Sequence, residues 1–131
     1  MIDKIISNPQ IVLKNVEYKW LPVSVNEEKL KVSAKDEFNY EFDKSNNLIV
    51  TIQRSVFIDP PQLFSIDIIF NVVWEIQDDH IEELNQALEK LSDEDKNYMC
   101  FTAKNECALL IAQLTKAGNL PPLWTPSDLL L

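Results

Sequence analysis

From Leu30 to Phe42 the chain alternates: Leu30, Val32, Ala34, Phe38, Tyr40 and Phe42 fall on even positions, with Lys31, Ser33, Lys35, Glu37, Asn39 and Glu41 between them. A period of two belongs to a strand with one buried and one solvated face, because successive side chains point to opposite sides of the backbone. The next run keeps the phase, placing Leu48, Val50, Ile52, Val56 and Ile58 on one face and Thr51, Gln53 and Ser55 on the other. The polar stretch DKSNN between the two runs predicts a hairpin turn. After Asp59, Pro60 and Pro61, the residues Phe64, Ile66, Ile68, Phe70, Val72, Trp74 and Ile76 extend the even series, while Ile69 and Val73 leave the odd face partly apolar. The earlier stretch IVLKNVEYKW is less regular but sets Val12, Val16, Tyr18 and Trp20 in one phase. The pattern predicts a mainly antiparallel sheet of four strands with one strongly apolar face.

The hairpin carries a test of its register. If Phe42 pairs with Leu48, Asp36 lies directly across from Arg54 on the apolar face. Taking both charges out of water is costly, so such a pair is expected as a register lock or a site rather than as a source of stability.

Near residue 78 the period becomes helical. Asp79 with Glu82 has the spacing of a capping box, and Ile81, Leu84, Leu88 and Leu91 form a short amphipathic stripe. Ser92 with Asp95 marks a second start, opening a long helix over about 93–117. In that helix Tyr98, Phe101, Ala108, Ile111 and Ala112 follow one stripe, and Leu110 and Leu114 widen it. A widened stripe calls for two packing partners, the sheet and a second copy of the chain. Lys116 then occupies the last turn, Gly118 is the only glycine in the sequence and can take the left-handed conformation past the helix end, and Pro121 and Pro122 prevent the helix from resuming. The remaining LPPLWTP segment is expected as an extended arm with little entropy to lose on docking.

These readings predict one α+β domain over residues 1–131. Its four-stranded antiparallel sheet spans about 10–76, a short and a long helix over about 79–117 pack on one face of the sheet, and a proline-rich arm covers 118–131. A chain of 131 residues is long enough for one compact core. Twenty-one acidic against twelve basic residues give a net charge of -9, the wrong sign for phosphate-backbone binding. Nucleic acid is therefore not an expected partner. No apolar run reaches the ~18 residues that span a bilayer, and MIDKIISNPQ lacks a charged start followed by a continuous apolar stretch, so a cytoplasmic protein without membrane insertion is expected. Cys100 and Cys107 lie about 10 Å apart along one helix, too far for a disulfide between them, and are expected as reduced packing residues.

Catalytic chemistry is poorly supplied. His80 is the sole histidine, sits in the acidic string DDHIEE at a helix start, and has no evident nucleophile partner. Its acidic neighbours are explained by the helix dipole, so no metal site is expected; zinc spacings and phosphate loops are missing, and no cofactor or enzyme activity is expected. Apolar and aromatic material is more distinctive. Leu120, Pro121, Pro122, Leu123 and Trp124 follow the helix stop where a polar connector would be ordinary, and with Trp20 and Trp74 they are the candidate lining of a groove for extended polypeptides.

The stretch AKNECALLIAQLTKAGNLPPLWTPSDLL resembles the C-terminal signature of the SecB export-chaperone family, in which a helix with a Glu-Cys step ends at a glycine and a proline-rich arm follows. Gly118, Leu120, Pro121, Pro122, Leu123, Pro126 and Leu130 carry the match. The resemblance implies a SecB-like fold, a homodimer or homotetramer built through sheet edges and long helices, and ATP-independent binding of unfolded or non-native clients in apolar grooves bordered by the arm. It further implies protein export through the SecA motor by way of acidic residues on the exposed sheet face; aligning LFSIDII with the family's fourth strand places Asp67 there. A dedicated interaction or regulatory protein with a single partner, of antitoxin type or an oligomeric scaffold, is the alternative reading.

Overall fold

The computed structural model describes residues 9–21, 31–59, 63–117 and 123–125. Strands β1 (Gln10–Leu21), β2 (Lys31–Phe42), β3 (Asn47–Asp59) and β4 (Leu63–Glu75) form one antiparallel sheet in the order β1-β4-β3-β2. A single turn of 3-10 helix (Asp78–His80) then leads into α1 (Ile81–Leu88), and α2 (Asp93–Ala117) follows. The α+β architecture of a four-stranded antiparallel sheet followed by a short and a long helix is as predicted.

The two central strands are the best buried. Leu48, Val50, Ile52 and Val56 of β3 and Ile66, Ile68 and Val72 of β4 are at most 1% exposed, all on the even face, where Met99, Cys100, Ala103, Cys107 and Ile111 of α2 join the same core. Leu84 and Leu88 of α1 join it too. The turn from β2 to β3 is built on Asp43, whose carboxylate accepts the backbone N–H of Ser45 at 2.8 Å and of Asn47 at 2.9 Å. Asn46 takes the left-handed conformation the turn requires (φ 61), which asparagine tolerates better than most residues. These contacts hold the Asp43 carboxyl below its usual value, the Asn47 backbone bond being the main cause. The resulting register pairs Phe42 with Leu48 and Asp36 with Arg54, as the alternation predicts.

Three expectations are corrected. In β1 a bulge between Leu13 and Asn15 inserts one extra residue, so Ile11 and Leu13 stand opposite Val72 and Phe70 while Val16, Tyr18 and Trp20 stand opposite Ile68, Ile66 and Phe64. Val12 therefore pairs with Asn71 on the opposite face from Val16, because one inserted residue inverts the phase of everything before it. The Asp79–Glu82 capping box does not form: the chain enters α1 through the 3-10 turn, neither helix start there has a side-chain cap, and Leu91 falls beyond the end of α1. In α2 the buried stripe runs through Cys100, Lys104, Cys107, Ile111 and Thr115, leaving Tyr98 and Phe101 47% and 56% exposed. The second capping box does form, with Ser92 Oγ accepting the N–H of Asp95 at 3.1 Å and the Asp95 carboxylate accepting the N–H of Ser92 at 3.3 Å.

Candidate functional site

Charge is buried at the centre of the helix-covered face. Arg54 donates from Nε and Nη2 to the two carboxylate oxygens of Asp36, both at 2.7 Å, and both residues are essentially sealed from solvent. This paired geometry satisfies each charge with the other and ties β2 to β3 in one register. Lys104, also buried, donates to Asn97 Oδ1 at 2.7 Å. The four- and three-residue steps from Cys100 through Lys104 and Cys107 to Ile111 are the sequence signal of its burial. Burial pushes the thiols of Cys100 and Cys107 up to about 12, against the opposing pull of Lys104 on the first and Arg54 on the second. Both thiols stay protonated and unreactive at neutral pH.

The arm meets this centre. Gly118, Leu120, Pro121 and Pro122 lie outside the described residues, but Leu123 is partly buried against the core, its N–H donating to Thr115 Oγ1 at 2.9 Å. Thr125 Oγ1 accepts from Arg54 Nη1 at 3.1 Å. Between these two anchors Trp124 is 68% exposed.

The flank between β1 and α2 is open. Pro9, Val72, Trp74, Tyr98, Phe101 and Thr102 bound a cavity of about 420 Å³ there. A second, of about 450 Å³, lies among Ile11, Leu13, Phe70, Leu109, Leu110 and Gln113. Trp74 is only 2% exposed and forms floor rather than rim, whereas Leu13 and Leu109 are 47% and 45% exposed. Trp20 stands apart from these residues, half-exposed at the far end of β1, with its ring edge-on to Tyr18 at 5.6 Å. Tyr18 stacks on Phe64 at 6.1 Å, its hydroxyl is buried without a hydrogen-bond partner among the described residues, and burial raises its pKa. Leu13 and Leu109 were missed by the sequence reading because the bulge decides the first and the rotation of α2 on the sheet decides the second. A smaller hollow of about 370 Å³ lies at the other sheet edge, between Phe38 and Tyr40 of β2 and Leu88, Leu91 and Lys96.

On the sheet face turned away from the helices, Asp67 accepts from Ser55 Oγ at 2.5 Å and stands in register with Glu17 of β1. Glu17 pairs with Lys19 at 2.7 Å, raising the pKa of Lys19 with a smaller contribution from Asp67. His80 is half-exposed, 3.6 Å from the Glu83 carboxylate. Among the described residues no cluster of His, Cys, Asp or Glu is arranged to hold a metal ion, and no helix is long and apolar enough to cross a membrane.

No protein-family model matches the chain, and no curated protein matches it in sequence. Its fold is similar to that of a SecB-like chaperone of Mycobacterium tuberculosis solved in complex with a ChAD peptide from an antitoxin. That structure superposes with a TM-score of 0.70 over 95% of this chain and 92% of its own, at 15% sequence identity. The chain therefore has a SecB-like fold.

Proposed function

We propose that this protein is an ATP-independent chaperone that holds unfolded or non-native polypeptides. The observation that carries the reading is the unfinished flank, where Leu13 on an edge strand and Tyr98, Phe101 and Leu109 on α2 are each 45–56% exposed around two open cavities. Apolar surface of this kind, beside a strand that among the described residues pairs on one side only, suits an extended chain whose side chains enter the hollows. In this reading Trp20, Leu123 and Trp124 contact the client, Trp74 forms the floor, and Leu120, Pro121 and Pro122 complete the arm. Part of the exposed α2 face serves a second copy, giving a homodimer or homotetramer in the cytoplasm. Delivery to SecA for protein export would use the outer sheet face at Asp67.

The second reading is a dedicated interaction protein with one partner, favoured by the antitoxin peptide bound in the mycobacterial structure of the same fold. Light scattering of several unrelated denatured proteins separates the two. A holdase suppresses aggregation of most of them at stoichiometric concentration, without ATP. A dedicated binder suppresses none, and failure with every client removes the chaperone proposal. Sizing in solution alongside shows whether the α2 face is already covered by a second copy.

A further inference from the structure

Two buried polar groups hold the short segment 123–125 at either end. The hydroxyl proton of Thr115 is committed to the helix carbonyls of Ile111 and Ala112, at 2.9 and 3.1 Å, so its lone pairs face outward and receive the N–H of Leu123. Arg54, held on one side by Asp36, turns Nη1 toward Thr125. Leu123 thus faces the core and Trp124 faces solvent, although three consecutive residues of an arm have no ladder or helix of their own to fix that alternation.

We propose that Leu123, Trp124 and Thr125 form a strap that opens as a unit distinct from the sheet, with the hydroxyls of Thr115 and Thr125 as its two catches. Closed, the strap seats Leu123 against the core and presents Trp124 at a defined point on the surface. Open, it uncovers the seat of Leu123 while the Asp36–Arg54 pair stays in place, because that pair is made by other nitrogens of the same guanidinium. Among the described residues two hydrogen bonds and one partly buried leucine hold the strap, against the continuous ladders and core that hold β3 and β4, which makes it an element of lower stability than the sheet. The inference rests on these bonds alone and does not depend on whether the chain holds clients.

Amide hydrogen exchange by NMR on the full chain tests it. In the native protein the Leu123 amide is expected to be protected yet to exchange much faster than the amides of Ile52 and Ile68. Thr125→Val removes one catch and should speed exchange at Leu123 by about tenfold, the worth of one hydrogen bond to a charged donor, while Ile52 and Ile68, which exchange only by fuller unfolding, should speed by no more than the same factor and stay far slower than Leu123. Thr115→Val should do the same by removing the acceptor, and Thr125→Ser, which keeps the hydroxyl, should restore protection. Labelling with 5-fluorotryptophan adds a readout that structural damage elsewhere would not mimic: Thr125→Val should move the Trp124 resonance and leave those of Trp20 and Trp74 in place. Exchange of Leu123 in step with Ile52 and Ile68 would overturn the proposal by making the segment part of the global unit. An unaltered Leu123 rate in Thr125→Val would overturn the role of Arg54 as a catch, as would loss of protection in Thr125→Ser equal to that in Thr125→Val.

Discussion

The β2–β3 hairpin and the flank between β1 and α2 are made of similar residues and finished in opposite ways. In the hairpin the register closes locally, through a side-chain-stapled turn, an unbroken ladder and the buried Asp36–Arg54 pair, although apolar side chains such as Tyr40 stay exposed along its outer strand. On the flank a bulge displaces the edge strand, aromatic and aliphatic side chains stay exposed, and two cavities remain open. The difference separates the part of the chain that makes the fold from the part that leaves apolar surface exposed.

The largest effect should come from breaking the hairpin's ion pair. Arg54→Met alone takes from the buried Asp36 carboxylate the guanidinium that faces it and should lower unfolding stability by about 3–5 kcal/mol in urea titration, whereas Asp36→Leu with Arg54→Met should recover most of that loss. A single substitution costing less than ~1 kcal/mol would show that the pair does not organise the hairpin. On the flank the expected pattern reverses. Phe101→Ala combined with Leu109→Ala should alter stability by no more than about 1 kcal/mol, since both side chains are half-exposed, yet weaken client holding about tenfold in light-scattering titrations.

Ser92→Ala tests the entry to α2, which carries the flank. It removes the capping hydroxyl and should cost about 1 kcal/mol, seen as an earlier thermal midpoint. The smallest effect belongs to the turn. Because the Asp43 carboxyl is held below the ordinary aspartate value of 3.8, its contribution to stability is present above that pH and is lost as pH falls through the lower folded value. An NMR titration should place the Asp43 midpoint below 3.8, and Asp43→Ala should abolish this part of the acid dependence.

The two regions also differ in how far the sequence revealed them. Alternation in β2, β3 and β4 has a period of two and an unambiguous turn between the first pair, so the even face and the Asp36–Arg54 opposition could be read without coordinates. Ser92 and Asp95 were equally legible, since a capping box needs only its own four residues. Asp79 and Glu82 show the same spacing and fail, because the 3-10 turn before α1 changes the backbone on which a cap depends. Val12 and Leu13 exchange faces through one inserted residue that no local signal announces. Tyr98 and Phe101 look like core residues in sequence, and only the rotation of α2 on the sheet turns them outward.

What the sequence determined by itself was local and periodic: the strands and helices and the hairpin register, each decided by interactions among near neighbours. The tertiary structure alone decided which apolar residues are left over, that Lys104 can be buried among partners, and that Thr125 reaches Arg54 across 71 positions of chain. The physical reason is that exposure, and the environment of a buried charge, are set by elements distant in sequence, whose relative placement no single segment encodes.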